Sequence, residues 1–216
     1  EIQKFYIAYY GRPADPPGIN YWLSEIDQSL NLRELSNLLS LQDEYLKYLS
    51  LEKSIEFKIN QFYLNLFGRK TDFKILKYWL GKINNDHYQI SDILYDLLFL
   101  LYSSDSLRSK QVIEDFNVLD NKLFAAELFT EKISQNSLLV DLYKPHSFSP
   151  WISGLPFTKA SDFLNQINLE KVLTKEVDSI VDSLSIKLKL NNKKLAIDMK
   201  NISLHIPLFS TESKSL

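Results

Sequence analysis

A stretch of 22 residues occurs twice in this chain. Phe5–Ile26 reads FYIAYYGRPADPPGINYWLSEI, and Phe62–Ile83 reads FYLNLFGRKTDFKILKYWLGKI. The second copy follows the first by 57 residues without a gap. The identical pairs are Phe5/Phe62, Tyr6/Tyr63, Gly11/Gly68, Arg12/Arg69, Asp15/Asp72, Tyr21/Tyr78, Trp22/Trp79, Leu23/Leu80 and Ile26/Ile83. Self-similarity of this kind marks two copies of one supersecondary unit, and such a unit cannot bury its apolar face alone. The copies, residues 1–57 and 58–114, are therefore expected to share one core.

Within each copy the pattern reads helix, tight turn, helix. Ile2, Phe5, Tyr6 and Tyr9 fall at i, i+3, i+4 and i+7, and Ile59, Phe62, Tyr63 and Leu66 repeat that face. Gly11 and Gly68 follow the last periodic residues, where a left-handed residue closes a helix. Asp15 and Asp72 stand where an N-cap belongs, and Pro16 follows at a position that needs no N–H. Ile19, Trp22, Leu23 and Ile26 make the next apolar face, copied by Leu76, Trp79, Leu80 and Ile83. Stop, start and core thus explain Gly11, Gly68, Asp15, Asp72, Trp22 and Trp79. Arg12 and Arg69 admit two readings, a salt bridge inside the unit or a ligand contact. In the second copy Phe73, Lys74 and Ile75 replace Pro16, Pro17 and Gly18, which weakens its turn signal.

The pattern Y-x-x-x-x-G-R-x-x-D-x-x-(G)-x-x-Y-W-L resembles a helical domain, often in tandem, of bacterial S-layer and other secreted surface proteins, related in pattern to phycobilisome linker domains. The segment Asn121–Ile133, NKLFAAELFTEKI, is similar to the N-K-x-x-x-A-x-x-F-T stretch that follows such units. The resemblance covers residues 1–135. It implies a helical, non-enzymatic surface module and carries over no catalytic residue.

Elsewhere the sequence mainly excludes. With 25 basic and 27 acidic residues the formal net charge is −2, which is no basic footprint for nucleic acid. There is no apolar run of transmembrane length, and residues 1–20 do not read as a signal peptide. The chain has no cysteine, which removes disulfides, zinc thiolates and thiol nucleophiles together and leans toward an exported bacterial protein. His87, His146 and His205 share no metal-ligand spacing, and no Walker A, G-x-S-x-G or G-x-G-x-x-G motif occurs. No catalytic residue, metal site or cofactor is expected. Calcium held by scattered carboxylates would leave no sequence signature.

Downstream, Leu32, Leu35 and Leu39 map onto Ile90, Ile93 and Leu97 at an offset of 58, so one residue enters the second copy near Asn84–Asp86. A helix over 115–134 completes a tandem-repeat domain, residues 1–141. Residues 142–157, with Pro145, Pro150, Pro156 and Gly154, read as a loop or boundary. Its aromatics, Tyr143, His146, Phe148 and Trp151, either anchor the loop on the core or present a binding platform. Residues 158–216 read as one long helix, about Ser161 to Leu184, and then a β-meander over Ser185–Ile206, where apolar residues alternate. The fold class expected is mainly α with a small C-terminal β-meander.

For function, the sequence favours a cell-surface anchoring module that binds polysaccharide, such as lipopolysaccharide O-antigen, and self-associates into a lattice. Tyr143, His146, Phe148 and Trp151 are the first glycan-binding candidates, because sugar C–H faces stack on aromatic faces. Arg12 and Arg69 are second, because guanidinium suits phosphate or carboxylate. The alternative is an intracellular scaffold like a phycobilisome linker, although linkers are usually basic and this chain is not.

Overall fold

The computed structural model describes residues 1–103, 109–145, 151–152 and 155–186. Its architecture is mainly helical, and no strand occurs among the described residues. The first copy is α1 (Ile2–Tyr10), α2 (Pro16–Asp27), α3 (Leu32–Ser40) and a π-helical turn (Glu44–Leu49). The second is α4 (Ile55–Phe67), α5 (Phe73–Asp86) and α6 (Ile90–Ser103). Then come α7 (Lys110–Ser134), α8 (Ser137–Leu142), α9 (Pro156–Gln166) and α10 (174–186).

Both hairpins close the same way. Gly11 (φ 62°) and Gly68 (φ 70°) take the left-handed conformation that ends α1 and α4, with N–H bonds back to Ile7 O and Leu64 O. Asp15 accepts the Gly18 N–H at 2.9 Å, and Asp72 accepts the Ile75 N–H at 2.8 Å. The cap is the same without the prolines, because the carboxylate satisfies the orphan N–H in either case. A second repeated bond joins residues that differ between the copies. Gln3 Oε1 accepts the Ala14 N–H at 2.7 Å, and Asn60 Oδ1 accepts the Thr71 N–H at 3.1 Å. Gly18 answers a close approach: a Cβ there would run into the Tyr6 hydroxyl. Its counterpart in the second copy is Ile75, and there Tyr63, the counterpart of Tyr6, accepts from Trp79 Nε1 at 3.1 Å.

Each copy packs its helices against their own counterparts, α1 on α4 and α3 on α6, as in an isologous pair. Leu35, Leu39, Ile93 and Leu97 are all buried in the second of these seams. In the first, Asn65 Nδ2 donates to the carbonyl of Ala8, its own counterpart, at 2.8 Å. Trp22 and Trp79 are both buried.

α7 ties the copies to the rest. Lys122 Nζ donates to Asn65 O at 2.6 Å, at the C-terminal end of α4, where a cation suits the helix dipole. Thr130 Oγ1 donates toward Ala14 O at 2.7 Å and accepts from Gln3 at 2.8 Å. Asn121 Nδ2 donates to Asn168 O and Glu170 O. The similarity seen over Asn121–Ile133 thus falls on residues that close the bundle. One core runs from Ile2 to Leu184 and takes in Phe157, Phe163 and Leu164 of α9 and Val177 and Val181 of α10.

Two expectations need correction. The long helix over Ser161–Leu184 is broken at 167–173. Asn168 Oδ1 accepts the Glu170 N–H at 2.8 Å, an Asx turn that competes with helix. Glu176 then caps the Leu173 N–H at 2.8 Å, which restarts the chain as α10. An apolar stripe does not register such local competition. The β-meander expected from Ser185 begins with Ser185 and Ile186, and both finish α10. The Ser185 hydroxyl bonds back to Val181 O, four residues earlier. The remainder of the expected meander lies outside the described residues.

Lys122 also sets a pH dependence. No carboxylate among the described residues pairs with it, and burial pushes its amine down to about 8. An unfolded lysine holds its proton to about pH 10.4. Between these values the unfolded chain binds more protons, so stability rises with pH, by at most about 1.4 kcal/mol per unit. Above about pH 10 the sign reverses. Burial raises Tyr6, Tyr9, Tyr10, Tyr45, Tyr63 and Tyr143 above the ordinary phenol value, so the unfolded chain loses those protons first. Thermal melts across pH 7–11 should therefore show a maximum near pH 9–10. In Lys122→Met the rise from pH 8 should vanish while the alkaline fall persists. Separately, Gly18→Ala should cost about 1–3 kcal/mol by overpacking, whereas Ile75→Ala should cost less than Gly18→Ala in the same chemical denaturation series.

Candidate functional site

The sequence-predicted candidates separate into three places. Arg12 is wholly enclosed. Its Nε and Nη2 donate to the two oxygens of Glu44, each at 2.7 Å, and Nη1 donates to Pro13 O at 2.8 Å. Asp15 Oδ2 lies 3.3 Å from Nη2. The guanidinium sits 3.8 Å from the centre of the Phe157 ring and within 5.2–5.6 Å of the Tyr6, Tyr10 and Tyr143 rings. Burial alone would depress this arginine, but Glu44, Tyr143 and Asp15 hold it well above its ordinary value. Tyr143 is equally enclosed, and its hydroxyl donates to Pro13 O at 2.6 Å. The two residues are brought together, inside the core, with no face left for a ligand.

Arg69 repeats the ion pair but not the enclosure. Its Nε and Nη2 donate to the two oxygens of Asp115 on α7, and Nη1 donates to Lys70 O at 3.1 Å. About a quarter of its side chain stays exposed. Both arginines are thus salt-bridged, but only Arg12 finds its carboxylate inside its own unit; Arg69 takes Asp115 of α7, just beyond residues 58–114. His146 and Phe148 lie outside the described residues.

Trp151 is the candidate that reaches a cavity. It lines a cleft of about 220 Å³ between the π-helical turn, α4 and α9. The turn contributes Tyr45, Tyr48, Leu49 and Ser50; α4 contributes Phe57, Lys58, Gln61 and Asn65; α9 contributes Ser161 and Asn165. Tyr9, Tyr10 and Gly11 close its floor. The turn is π-helical because the Ser50 N–H reaches back five residues, to Tyr45 O at 2.8 Å. Single π turns recur at functional sites, since they push a side chain out of helical register. Here Tyr45 is 5% exposed and packs edge-on against Tyr9 with ring centres 4.9 Å apart. Its buried hydroxyl has no hydrogen-bond partner among the described residues. A buried polar group in that state costs free energy unless something else satisfies it.

Two of the larger hollows have a different character. A groove of about 520 Å³ lies between α9 and α10, and an apolar groove of about 460 Å³ runs along Ile19, Leu23, Ile26 and Leu32. Neither contains a buried unpartnered polar atom among the described residues. No group of three or more His, Asp or Glu side chains converges among the described residues, and no described helix is long and apolar enough to cross a membrane.

Comparison with protein-family models, with curated proteins and with solved structures finds no match to this chain. The cleft must therefore be read from its own chemistry. Sequence reasoning reached Trp151 through the loop aromatics. It missed Tyr45, Tyr48, Gln61 and Asn165, because these come from three helical segments whose convergence leaves no spacing signal.

Two substitutions separate the buried centre from the cleft. Arg12→Gln strands Glu44 and Asp15 in the core and should cost about 3–5 kcal/mol in urea unfolding. Tyr45→Phe removes a hydroxyl with no partner among the described residues and should change stability by less than about 0.5 kcal/mol, or raise it.

Proposed function

We propose that this chain is a non-catalytic helical module of a bacterial surface protein, and that it binds a cell-surface polysaccharide through the cleft beside the π-helical turn. The observation that carries the reading is the composition of that cleft. Tyr45, Tyr48, Phe57 and Trp151 offer aromatic surface, and Gln61, Ser161 and Asn165 offer donors and acceptors among them. Aromatic faces and interleaved amides are what a sugar ring needs, since its C–H faces stack and its hydroxyls both donate and accept. A cavity of about 220 Å³ is below the usual size for a whole drug-like ligand and suits one ring of a longer chain. The resemblance of the repeat to S-layer and secreted surface domains, and the lack of cysteine, agree with an extracellular setting. A single ring site gives weak binding, which self-association into an array multiplies through avidity.

Retention of purified lipopolysaccharide and capsular polysaccharide on immobilised protein tests this. Wild type should retain polysaccharide. Trp151→Ala and Gln61→Ala should lose most of it, measured below the melting temperature of each variant, because Trp151 also packs against Phe157 and Gln61 donates to Asn65 Oδ1 at 2.8 Å. Retention equal to wild type in both variants would remove the cleft from the site. No retention by wild type, even at array-like surface density, would overturn the polysaccharide reading in favour of a protein-binding scaffold.

A further inference from the structure

Two exposed faces of the bundle carry opposite charge, although the formal net charge is only −2. Phe73 opens α5 with 79% of its surface exposed, more than any other large apolar side chain among the described residues. Its counterpart in the first copy is the buried Pro16, so the repeat gives no folding reason for a phenylalanine there. Lys70, Lys74 and Lys77 surround it in sequence, all exposed and with no ion pair among the described residues. Phe73 and Lys77 are i, i+4 neighbours on the helix surface. The opposite arrangement lies along α2 and α7. The apolar groove of about 460 Å³ follows Ile19, Leu23 and Ile26 of α2, with the exposed Glu1 and Glu127 at its edge. No Lys, Arg or His lines it among the described residues. Asp120, Phe124, Glu127 and Glu131 fall at i, i+4, i+7 and i+11, which makes one exposed stripe of α7. Its three carboxylates have no ion pair among the described residues either. An exposed phenyl ring among lysines and an apolar groove beside carboxylates match in shape and in sign.

We propose that this groove receives Phe73 of a second copy of the chain, with Lys70, Lys74 and Lys77 facing the carboxylates of α7. A second copy is the occupant because both complementary halves are carried on the one chain. Burial of the ring and of the lysine stems supplies the attraction, and the charges set the orientation. Knob and groove are different surfaces, so the contact is heterologous. Each molecule offers one of each, and association continues into a chain or a closed ring instead of stopping at a dimer. This rests on the self-association that forms part of the proposed function and names its contact. It is tested without sugar, so its failure leaves the polysaccharide reading of the cleft standing.

The test is sedimentation of the full chain at concentrations up to about 1 mM, because a single small patch associates weakly. Wild type should form species larger than dimers, and high salt should weaken them. Phe73→Ser/Lys77→Glu removes the knob, and Leu23→Gln/Glu127→Lys removes the groove. All four side chains are exposed, so both variants should melt as wild type does. Each alone should associate at least about tenfold more weakly than wild type. Mixed in equal amounts, the two should form dimers and nothing longer, since one intact knob and one intact groove remain. A wild type that stays monomeric throughout would overturn the proposal. So would either variant assembling as wild type does, because the contact would then lie elsewhere. A mixture that associates no better than its components would also overturn it, because knob and groove would then not meet.

Discussion

The Arg12–Glu44 pair is the contact on which the first half of the molecule depends. A guanidinium without solvent is tolerable only when its donors are matched and its faces are covered. Glu44 takes two donors, Pro13 O takes a third, and Asp15 stands beside them. Phe157 and three tyrosines cover the faces. Meeting those demands fixes five segments at once: the end of α1, the start of α2, the π-helical turn, the residue after α8 and the start of α9. The cleft is a consequence. Glu44 opens the π turn, so holding Glu44 against Arg12 holds Tyr45 and Tyr48 beside α4.

The second copy shows what the repeat does without the same enclosure. Arg69 makes the same bidentate pair and the same bond to the following carbonyl. Its carboxylate comes from the long helix α7 rather than from a π turn, and among the described residues no C-terminal aromatic covers it. One repeated motif therefore supports two outcomes, a buried hub and a half-open ion pair. The difference lies in what the rest of the chain lays over each hairpin.

α7 explains why two marginal units become one body. Along one helix, Asn121, Lys122 and Thr130 bond respectively to the 168–170 turn, the end of α4 and the turn of the first hairpin. Ala125 and Ala126 let it approach closely between them. The small and polar residues of this segment carry no periodic apolar signal, yet they are the ones that join the elements.

By itself the sequence determined the repeat, its two hairpins, the left-handed glycines, the aspartate caps and the buried tryptophans. Each of these depends on residues within one helical hairpin, so spacing records it. It also narrowed Arg12 and Arg69 to two uses, of which the structure realises the ion pair. Only the tertiary structure decided that Tyr143 belongs to the core while Trp151 reaches a cleft, and that Tyr45, Lys58 and Gln61 stand beside it. Those residues meet across the π turn, α4 and the C-terminal segment. It also decided that the apolar stripe from α9 to α10 is broken, because one Asx turn and two bonds from Asn121 outweigh a periodicity that registers only burial. Periodicity reports which face of a segment leaves water; which face it meets is set by packing between segments distant in the chain.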